Sequence, residues 1–268
     1  ESEEEQRLQN MLSSSRPIDA VKSLWTDELT WMEVRDLIEN GYTQVIVPTG
    51  GIEQNGPFLS TGKHNVILQA ACPEIAKKLG NTLCAPIIKF VPEGNIEPPS
   101  GSMLFPASIS LRAETYHMLL DDIASSLKQS GFKNIIFIGD SGGNQKGMEI
   151  VAKKLNQRWS GSGVLAHYIP EYYNPGWEET ERFTKEVLGV EETNNDGHHD
   201  DIWVTAMMMV TDPEQVRHQQ RIDAGLASIN GVDITPIGET TELGRKMLEF
   251  RAEFTADAIL KAIQSSKQ

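Results

Sequence analysis

Apolar residues along the chain follow two spacings, one typical of buried strands and one typical of amphipathic helices. Residues 43–48 form a short, apolar, β-branched stretch, which predicts a strand, and residues 134–138 are continuously apolar, which predicts a strand that is covered on both faces. Further strands are predicted over residues 83–91 and 164–169. Apolar positions at helical spacing, together with glycines and capping residues at the ends, predict helices over 29–40, 64–79, 113–129, 146–159, 177–188, 202–210 and 239–264.

Strands alternate with helices along the whole sequence, which predicts an α/β protein with a mostly parallel sheet and helices on both faces. We expect a single-domain three-layer α/β/α architecture over residues 25–268, because no repeat and no linker interrupts them. Residues 1–24 are polar, begin with a glutamate run and are expected to form a flexible acidic arm. Because ligands bind beyond the carboxyl ends of parallel strands, the loops after residues 48, 91 and 138 are candidates for chemistry.

Composition and net charge limit the kinds of partner that the protein is expected to bind. The 268 residues include 24 Lys and Arg against 38 Asp and Glu, a net charge of −14. Such a chain lacks the basic face that nucleic acids and anionic membranes require, so neither is an expected partner. No apolar run approaches the roughly 18–20 residues of a transmembrane helix. We therefore expect a protein that acts on a small molecule.

Two cysteines and the first residue bear on the cellular compartment. Cys72 and Cys84 do not form a disulfide framework, and we expect two buried thiols. The chain starts at Glu1 rather than Met, and on that ground export to the periplasm is favoured over the cytoplasm.

The loop after the first predicted strand carries a carboxylate and an imidazole at its two ends. These are Glu53 and His64, and the loop between them can fold both side chains inward. Carboxylate and imidazole groups are common ligands of zinc, manganese and iron. The alternative is a surface carboxylate and a histidine that merely begins a helix.

A glycine-rich turn, GDSGGNQ, follows the strand at 134–138. Asp140 lies at the strand end, from which it can bind a metal or orient a base. Ser141 lies at a sharp strand-to-helix turn, so a serine nucleophile is an alternative. The flanking pattern, however, differs from the G-x-S-x-G nucleophile elbow.

A third polar cluster covers residues 196–201. It contains His198 and His199 among three carboxylates, including Asp201, in a chain with only six histidines. Neighbouring side chains point in different directions, so one of the two histidines is expected to face the site as a general acid or base. The alternative is a solvated acidic loop that caps the following helix.

Five strings, in this order, resemble motifs of the creatininase (creatinine amidohydrolase) family. PTGGIEQNGPFLSTGKHN resembles the family's metal-site loop, and FPASISL resembles FPGTISL. GDSGGN resembles NGHGGN, the segment 198–205 resembles HAGxxETS, and TTELG resembles TxEKG. The resemblance covers residues 25–265. It implies the creatininase fold, a closed oligomer such as a hexamer, and two metal ions that activate water to hydrolyse small cyclic amides.

The family's metal ligands are matched only in part. The first-loop glutamate is present as Glu53, and the catalytic-type histidine as His198. Four other family positions are occupied by different residues, namely Asn55, His64, Ser141 and Trp203. Because Asp140 and a potential ligand at His64 have replaced the lost groups, we predict a remodelled site. A single divalent ion (Zn, Mn or Fe) would be held there by Glu53, His64 and Asp140.

The leading hypothesis is a metal-dependent hydrolase or lyase of a small polar cyclic substrate, with a keto-cyclitol or sugar-derived compound as one option. His198, His199 and Asp201 are the predicted catalytic residues. The predicted substrate contacts are Asn55, Lys63, Ser141, Asn144 and Trp203, and an aromatic wall is expected from Tyr172, Trp177 and Trp203. The alternatives are a cyclic-amide amidohydrolase, a serine hydrolase and a catalytically inactive binding or assembly protein.

Overall fold

The structure is a computed structural model and describes residues 2–267. Its strands and helices follow the predicted order. The strands are β1 Gln44–Thr49, β2 Thr82–Cys84, β3 Asn134–Gly139, β4 Leu165–Tyr168, β5 Ser228–Ile229 and β6 Val232–Asp233. The helices are α1 Glu3–Ser13, α2 Trp31–Glu39, α3 Lys63–Leu79, α4 Ala113–Ser130, α5 Gln145–Arg158, α6 Gly176–Glu186, α7 Ile202–Thr211, α8 His218–Asp223 and α9 Ile237–Ser265.

Four strands form a parallel sheet in the order β2-β1-β3-β4, and β5 and β6 form a separate antiparallel pair. The register pairs Gln44 with Asn134 and Thr49 with Gly139, so β1 and β3 end side by side. Their carboxyl ends therefore bring the loops that follow them to one edge of the sheet, as the alternation of strands and helices predicted.

Successive residues of the central strands point to opposite faces and form two cores. In β3, Ile136 and Ile138 pack with α3, α7 and α9, whereas Ile135 and Phe137 pack with α4 and α5. All four side chains are buried. This explains why the strand is continuously apolar, and it confirms the predicted three-layer α/β/α arrangement.

The structure also has α8, β5 and β6, for which no element was predicted, and two predicted segments differ from it. The arm predicted over residues 1–24 contains helix α1, which begins with a capping box between Ser2 and Glu5. Arg35 donates to the carbonyl oxygens of Leu12 and Ser14, which attaches the end of this helix to α2. The strand predicted over residues 83–91 is regular only up to Cys84.

The prediction of two free buried thiols is wrong, because Cys72 and Cys84 form a disulfide. It joins α3 to β2, and the two Cα atoms are 6.4 Å apart, within the range that disulfides span. None of the helices in the described residues has the length and apolarity that crossing a membrane requires.

Candidate active site

A cavity of about 580 Å³ opens beyond the carboxyl ends of β1 and β3. The loop after β1, the segment after residue 91 and the turn after β3 all contribute to its wall, so the three loops selected from the sequence meet here. The wall combines acidic, basic and aromatic side chains: Glu53, Glu93, Asp140, Asp201, Lys63, His64, Tyr173, Trp177 and Trp203.

Two asparagines fix the loop that presents Glu53. Asn144 donates from its amide to the carbonyl oxygen of Gly50 at 2.9 Å. Asn65 accepts from the N–H of Gly51 at 3.1 Å and donates to the carbonyl of the same residue at 2.9 Å. A side chain at Gly50 would collide with Asn65, which explains the glycine there.

His64 joins two carboxylates. Its Nε2 lies 2.8 Å from Oε1 of Glu53, and its Nδ1 lies 2.7 Å from Oδ1 of Asp140. All three residues are buried. The contact forms because His64 lies in the first turn of α3 while Asp140 follows β3 directly, and both face the same sheet edge.

The outer oxygens of both carboxylates are also occupied. Ser102 donates its hydroxyl to Oε2 of Glu53 at 2.8 Å, and Tyr172 donates its hydroxyl to Oδ2 of Asp140 at 2.6 Å. Arg251 lies 3.7 Å from the same oxygen of Asp140. These donors favour the ionised form of each carboxyl group.

The pKa values of the two carboxyl groups follow from these contacts. Burial raises the pKa of Glu53, but the hydrogen bond and charge of His64 outweigh it and lower that pKa to about 2. Burial also raises the pKa of Asp140, and His64 and Arg251 outweigh it, so this pKa is lowered too. Both groups are therefore ionised near neutral pH. Both ring nitrogens of His64 are therefore engaged by carboxylate oxygens.

The pKa of Glu93 is shifted in the opposite direction, upward. Burial and the neighbouring charge of Glu53 raise the pKa of Glu93 to about 9, so its carboxyl group carries a proton at neutral pH. Oε1 of Glu93 is buried without a hydrogen-bond partner among the described residues. Any side chain at Gly51 would collide with this oxygen, so the glycine makes room for it.

Lys63 is a buried cation at the start of α3. Its Nζ donates to the carbonyl oxygen of His199 at 3.0 Å. Burial lowers the pKa of Lys63, and the negative charges around it oppose that shift. These charges belong to Glu53, Asp140 and Asp201, and Glu93 adds to them only when it is ionised.

Aromatic rings form another part of the cavity wall. The ring centroids of Trp177 and Trp203 are 4.0 Å apart, and those of Tyr173 and Trp177 are 6.2 Å apart, both in edge-to-face contact. The wall predicted from Tyr172, Trp177 and Trp203 is corrected at one position. Tyr172 is fully buried beneath Asp140, and Tyr173 lines the cavity in its place.

Two predicted substrate contacts are structural. The amide of Asn55 donates to the carbonyl oxygens of Glu53 and Ser60, and the amide of Asn144 donates to the backbone at the end of β1. Neither residue lines the cavity, which corrects their predicted role. Lys63, Ser141 and Trp203 do line it.

Only part of the predicted catalytic cluster lines the cavity. His199 and Asp201 line the cavity, whereas His198 is exposed and lies against Gly56 outside the lining. This corrects the prediction of His198 as the catalytic-type histidine: the following residue, His199, is the one that reaches the cavity wall.

The serine-nucleophile alternative lacks a base. The buried histidine of the site, His64, directs both of its nitrogens to carboxylates. In the described part of the chain, no histidine is hydrogen-bonded to the hydroxyl group of Ser141. Nucleophilic serine chemistry needs such a base within hydrogen-bond reach.

The three predicted metal ligands converge, but as a hydrogen-bonded chain. Each ring nitrogen of His64 already faces a carboxylate oxygen, so no lone pair is directed at a metal position. Within residues 2–267, no group of three or more His, Cys, Asp or Glu side chains is arranged to hold a metal ion. The side chains as placed do not fit a metal ion bound by Glu53, His64 and Asp140.

Sequence reasoning missed three residues of the site. Glu93 lies in a loop that the strand-end rule selected, so its position was a usable signal. Tyr173 is adjacent to a residue that was chosen. Arg251 lies within the amphipathic pattern of α9 and gave no signal, because its role depends on the packing of α9 against α7 and α3.

The fold and the site together define an α/β protein with a small-molecule cavity at the carboxyl ends of parallel strands. The family model for creatininase, creatinine amidohydrolase, matches residues 27–259, and the chain belongs to this family of hydrolases.

Individual relatives are distant in sequence. Creatinine amidohydrolase of Pseudomonas putida is 21% identical over 263 residues, which cover 89% of this chain and 96% of that protein. A solved manganese creatininase matches with 19% identity and a TM-score of 0.62, over 90% of this chain and 98% of that one. A mutant creatininase complexed with creatine matches with 18% identity and a TM-score of 0.64, over the same two shares.

Proposed function

We propose that this protein is a hydrolase that opens a small, polar, cyclic amide by cleaving its C–N bond. One observation carries the proposal: two neighbouring carboxyl groups, Glu53 and Glu93, line one cavity with pKa values displaced in opposite directions. Titratable neighbours with separated pKa values are the usual mark of an acid and base pair.

The two carboxyl groups divide the proton transfers. Ionised Glu53 accepts a proton from a water molecule as that water attacks the ring carbonyl carbon. Protonated Glu93 donates its proton to the ring nitrogen as the C–N bond breaks. Two neighbouring carboxyl groups, one ionised and one protonated, likewise hydrolyse amides in the aspartic proteases.

The reaction balances without another reactant. One water molecule is consumed, its hydroxyl group joins the carbonyl carbon, and its proton is on Glu53. The ring nitrogen leaves with the proton of Glu93. A proton then passes from Glu53 to the adjacent Glu93, which restores the starting state. His64 and Asp140 hold Glu53 in place and favour its ionised form in the starting state.

The aromatic wall favours a ring as substrate. Tyr173, Trp177 and Trp203 offer apolar surface alongside polar groups, which suits a flat ring with polar edges. The same wall suits a keto-cyclitol or another sugar-derived ring, so this is the second substrate class to assay.

Support for metal ions comes from relatives of this protein. Solved creatininases include manganese and Zn–Zn forms. Because both nitrogens of His64 are occupied here, no step of the proposed reaction uses a metal ion.

The decisive test is an assay of purified protein against cyclic amides, including creatinine and hydantoins, and against keto-cyclitols. We expect turnover of a cyclic amide, and we expect Glu53→Gln to lower kcat by about 10²–10⁴-fold, the contribution of a positioned acid or base. Glu149→Gln on the exposed surface of α5 is the matched control and should retain activity. A catalytically inactive binding protein would bind a ring compound without turnover, and that result would contradict the proposal.

We also propose that the protein is exported to an oxidising compartment. The disulfide between Cys72 and Cys84 supports this, because such bonds persist mainly outside reducing cytosols. Alkylation in intact cells should find both thiols blocked. Replacing both cysteines by alanine should lower the free energy of unfolding by about 3 kcal/mol, because the bond closes a loop of this size. Freely alkylated thiols in cells would contradict the proposal.

Self-association into a homo-oligomer stays a prediction of the family resemblance. The exposed side chains of Leu104 and Phe105 near the cavity support it, because apolar groups at an interface are covered by a partner. The molar mass from light scattering measures it directly.

A further inference from the structure

Lys63 occupies an unusual position for an ammonium group. It is 4% exposed, and it lines the same cavity as the carboxyl groups of Glu53, Glu93, Asp140 and Asp201. An ammonium group has three N–H donors, and the structure uses one of them, toward the carbonyl oxygen of His199 at 3.0 Å. The other two donors are available to a molecule in the cavity.

Nitrogen-bearing side chains of the chain itself already contact the acidic cluster. His64 lies between Glu53 and Asp140 at 2.8 and 2.7 Å, and Arg251 lies 3.7 Å from Asp140. Lys63 is a second cationic side chain of this cluster and, unlike Arg251, it lines the cavity. Buried carboxylates require such partners, because their charge is costly without compensation.

We propose that the ammonium group of Lys63 serves as the built-in cation of this site, neutralising the acidic cluster and polarising the substrate carbonyl in place of a divalent ion. The second role rests on the proposed hydrolysis of a cyclic amide. A fixed donor aimed at the carbonyl oxygen stabilises the negative charge that develops there as water attacks.

The position of Lys63 also excludes a divalent ion from the cluster. A divalent cation beside a buried ammonium would be strongly repelled, since charges a few ångströms apart interact strongly in a dry environment. Removing only that charge should turn the same carboxyl groups into a cation site. Lys63→Met keeps most of the length of the side chain and removes its charge.

The test measures metal content and thermal stability of the full chain. After incubation with Mn²⁺ and removal of the excess, the wild-type protein should hold no stoichiometric manganese, and its Tm should not depend on Mn²⁺. Lys63→Met should hold stoichiometric manganese, and its Tm should rise by roughly 5 °C at Mn²⁺ about 100-fold above Kd. Lys63→Arg keeps the charge and should behave as the wild type. The surface variant Lys77→Met is the control for loss of a lysine.

Measurements on the wild-type protein test the proposal even if Lys63→Met does not fold. Stoichiometric manganese or zinc in the wild type, or turnover that a chelator abolishes, would overturn the proposal. So would a folded Lys63→Met that binds no manganese. We expect turnover to survive chelation and to fall by about 10²–10³-fold in Lys63→Met. Failure of the proposed hydrolysis would instead appear as no turnover in any variant, with the metal readings unaffected.

Discussion

Replacing Arg251 by methionine should lower the free energy of unfolding by about 3–5 kcal/mol, the cost of removing one partner of a buried ion pair. Arg251 is 1% exposed, and its Nη2 donates to the carbonyl oxygen of Tyr172 at 2.8 Å. Its guanidinium carbon lies 3.9 Å from the ring centroid of Tyr172 and 4.3 Å from that of Trp177. The substitution leaves the charge of Asp140 buried without its nearby guanidinium.

Urea unfolding followed by tryptophan fluorescence measures this effect. Arg245→Met is the matched control, because Arg245 lies on the same helix in an exposed pair with Glu242 and should change stability little. Combining Arg251→Met with Asp140→Asn should cost less than the sum of the two single changes, because the two groups interact. Strict additivity would show that Arg251 acts through packing alone.

The fold could be predicted from the sequence because, in the central strands, the apolar pattern agrees with the burial that the sheet imposes. Residues 135–138 are apolar throughout, and the structure buries them between two helical layers. The strand after residue 82 was predicted too long. Beyond Cys84 the chain makes only isolated bridges at Ile88 and Val91, which periodicity cannot separate from a strand.

The sequence could predict which residues meet at the site, because the order of the strands alone brings them to one edge of the sheet. The rule that ligands lie at the carboxyl ends of parallel strands selected Glu53, His64 and Asp140, and the structure joins these three. The rule does not say whether such residues surround a cavity or contact one another. That outcome depends on distances set by packing, and on Arg251, which reaches the site from a helix distant in sequence.

We expect Glu93→Gln to combine a large loss of activity with a gain in stability. In the unfolded chain this carboxyl group titrates near 4.5, whereas burial and the charge of Glu53 raise its pKa to about 9 in the folded protein. Between these pH values the folded state binds a proton that the unfolded state releases. The stability of the wild type therefore falls as pH rises from about 4.5 to 9.

Glutamine keeps the shape and cannot ionise, so this loss disappears in the variant. We expect Glu93→Gln to be more stable than the wild type by about 1–3 kcal/mol at pH 8, and nearly equal at pH 4. Full linkage would give about 5 kcal/mol at pH 8, and partial exposure of the group reduces it. The same change should lower kcat by about 10²–10⁴-fold, because the proton donor to the ring nitrogen is lost.

Unfolding curves at pH 4 and pH 8, together with kcat on the same preparations, test both effects. A variant that is stabilised at pH 8 and inactive would place Glu93 among residues kept for reaction at the expense of stability. A variant that is destabilised equally at both pH values would show that the carboxyl group of Glu93 is a structural acceptor. In that case Glu53 would lack its acid partner, and the proposed division of proton transfers would be wrong.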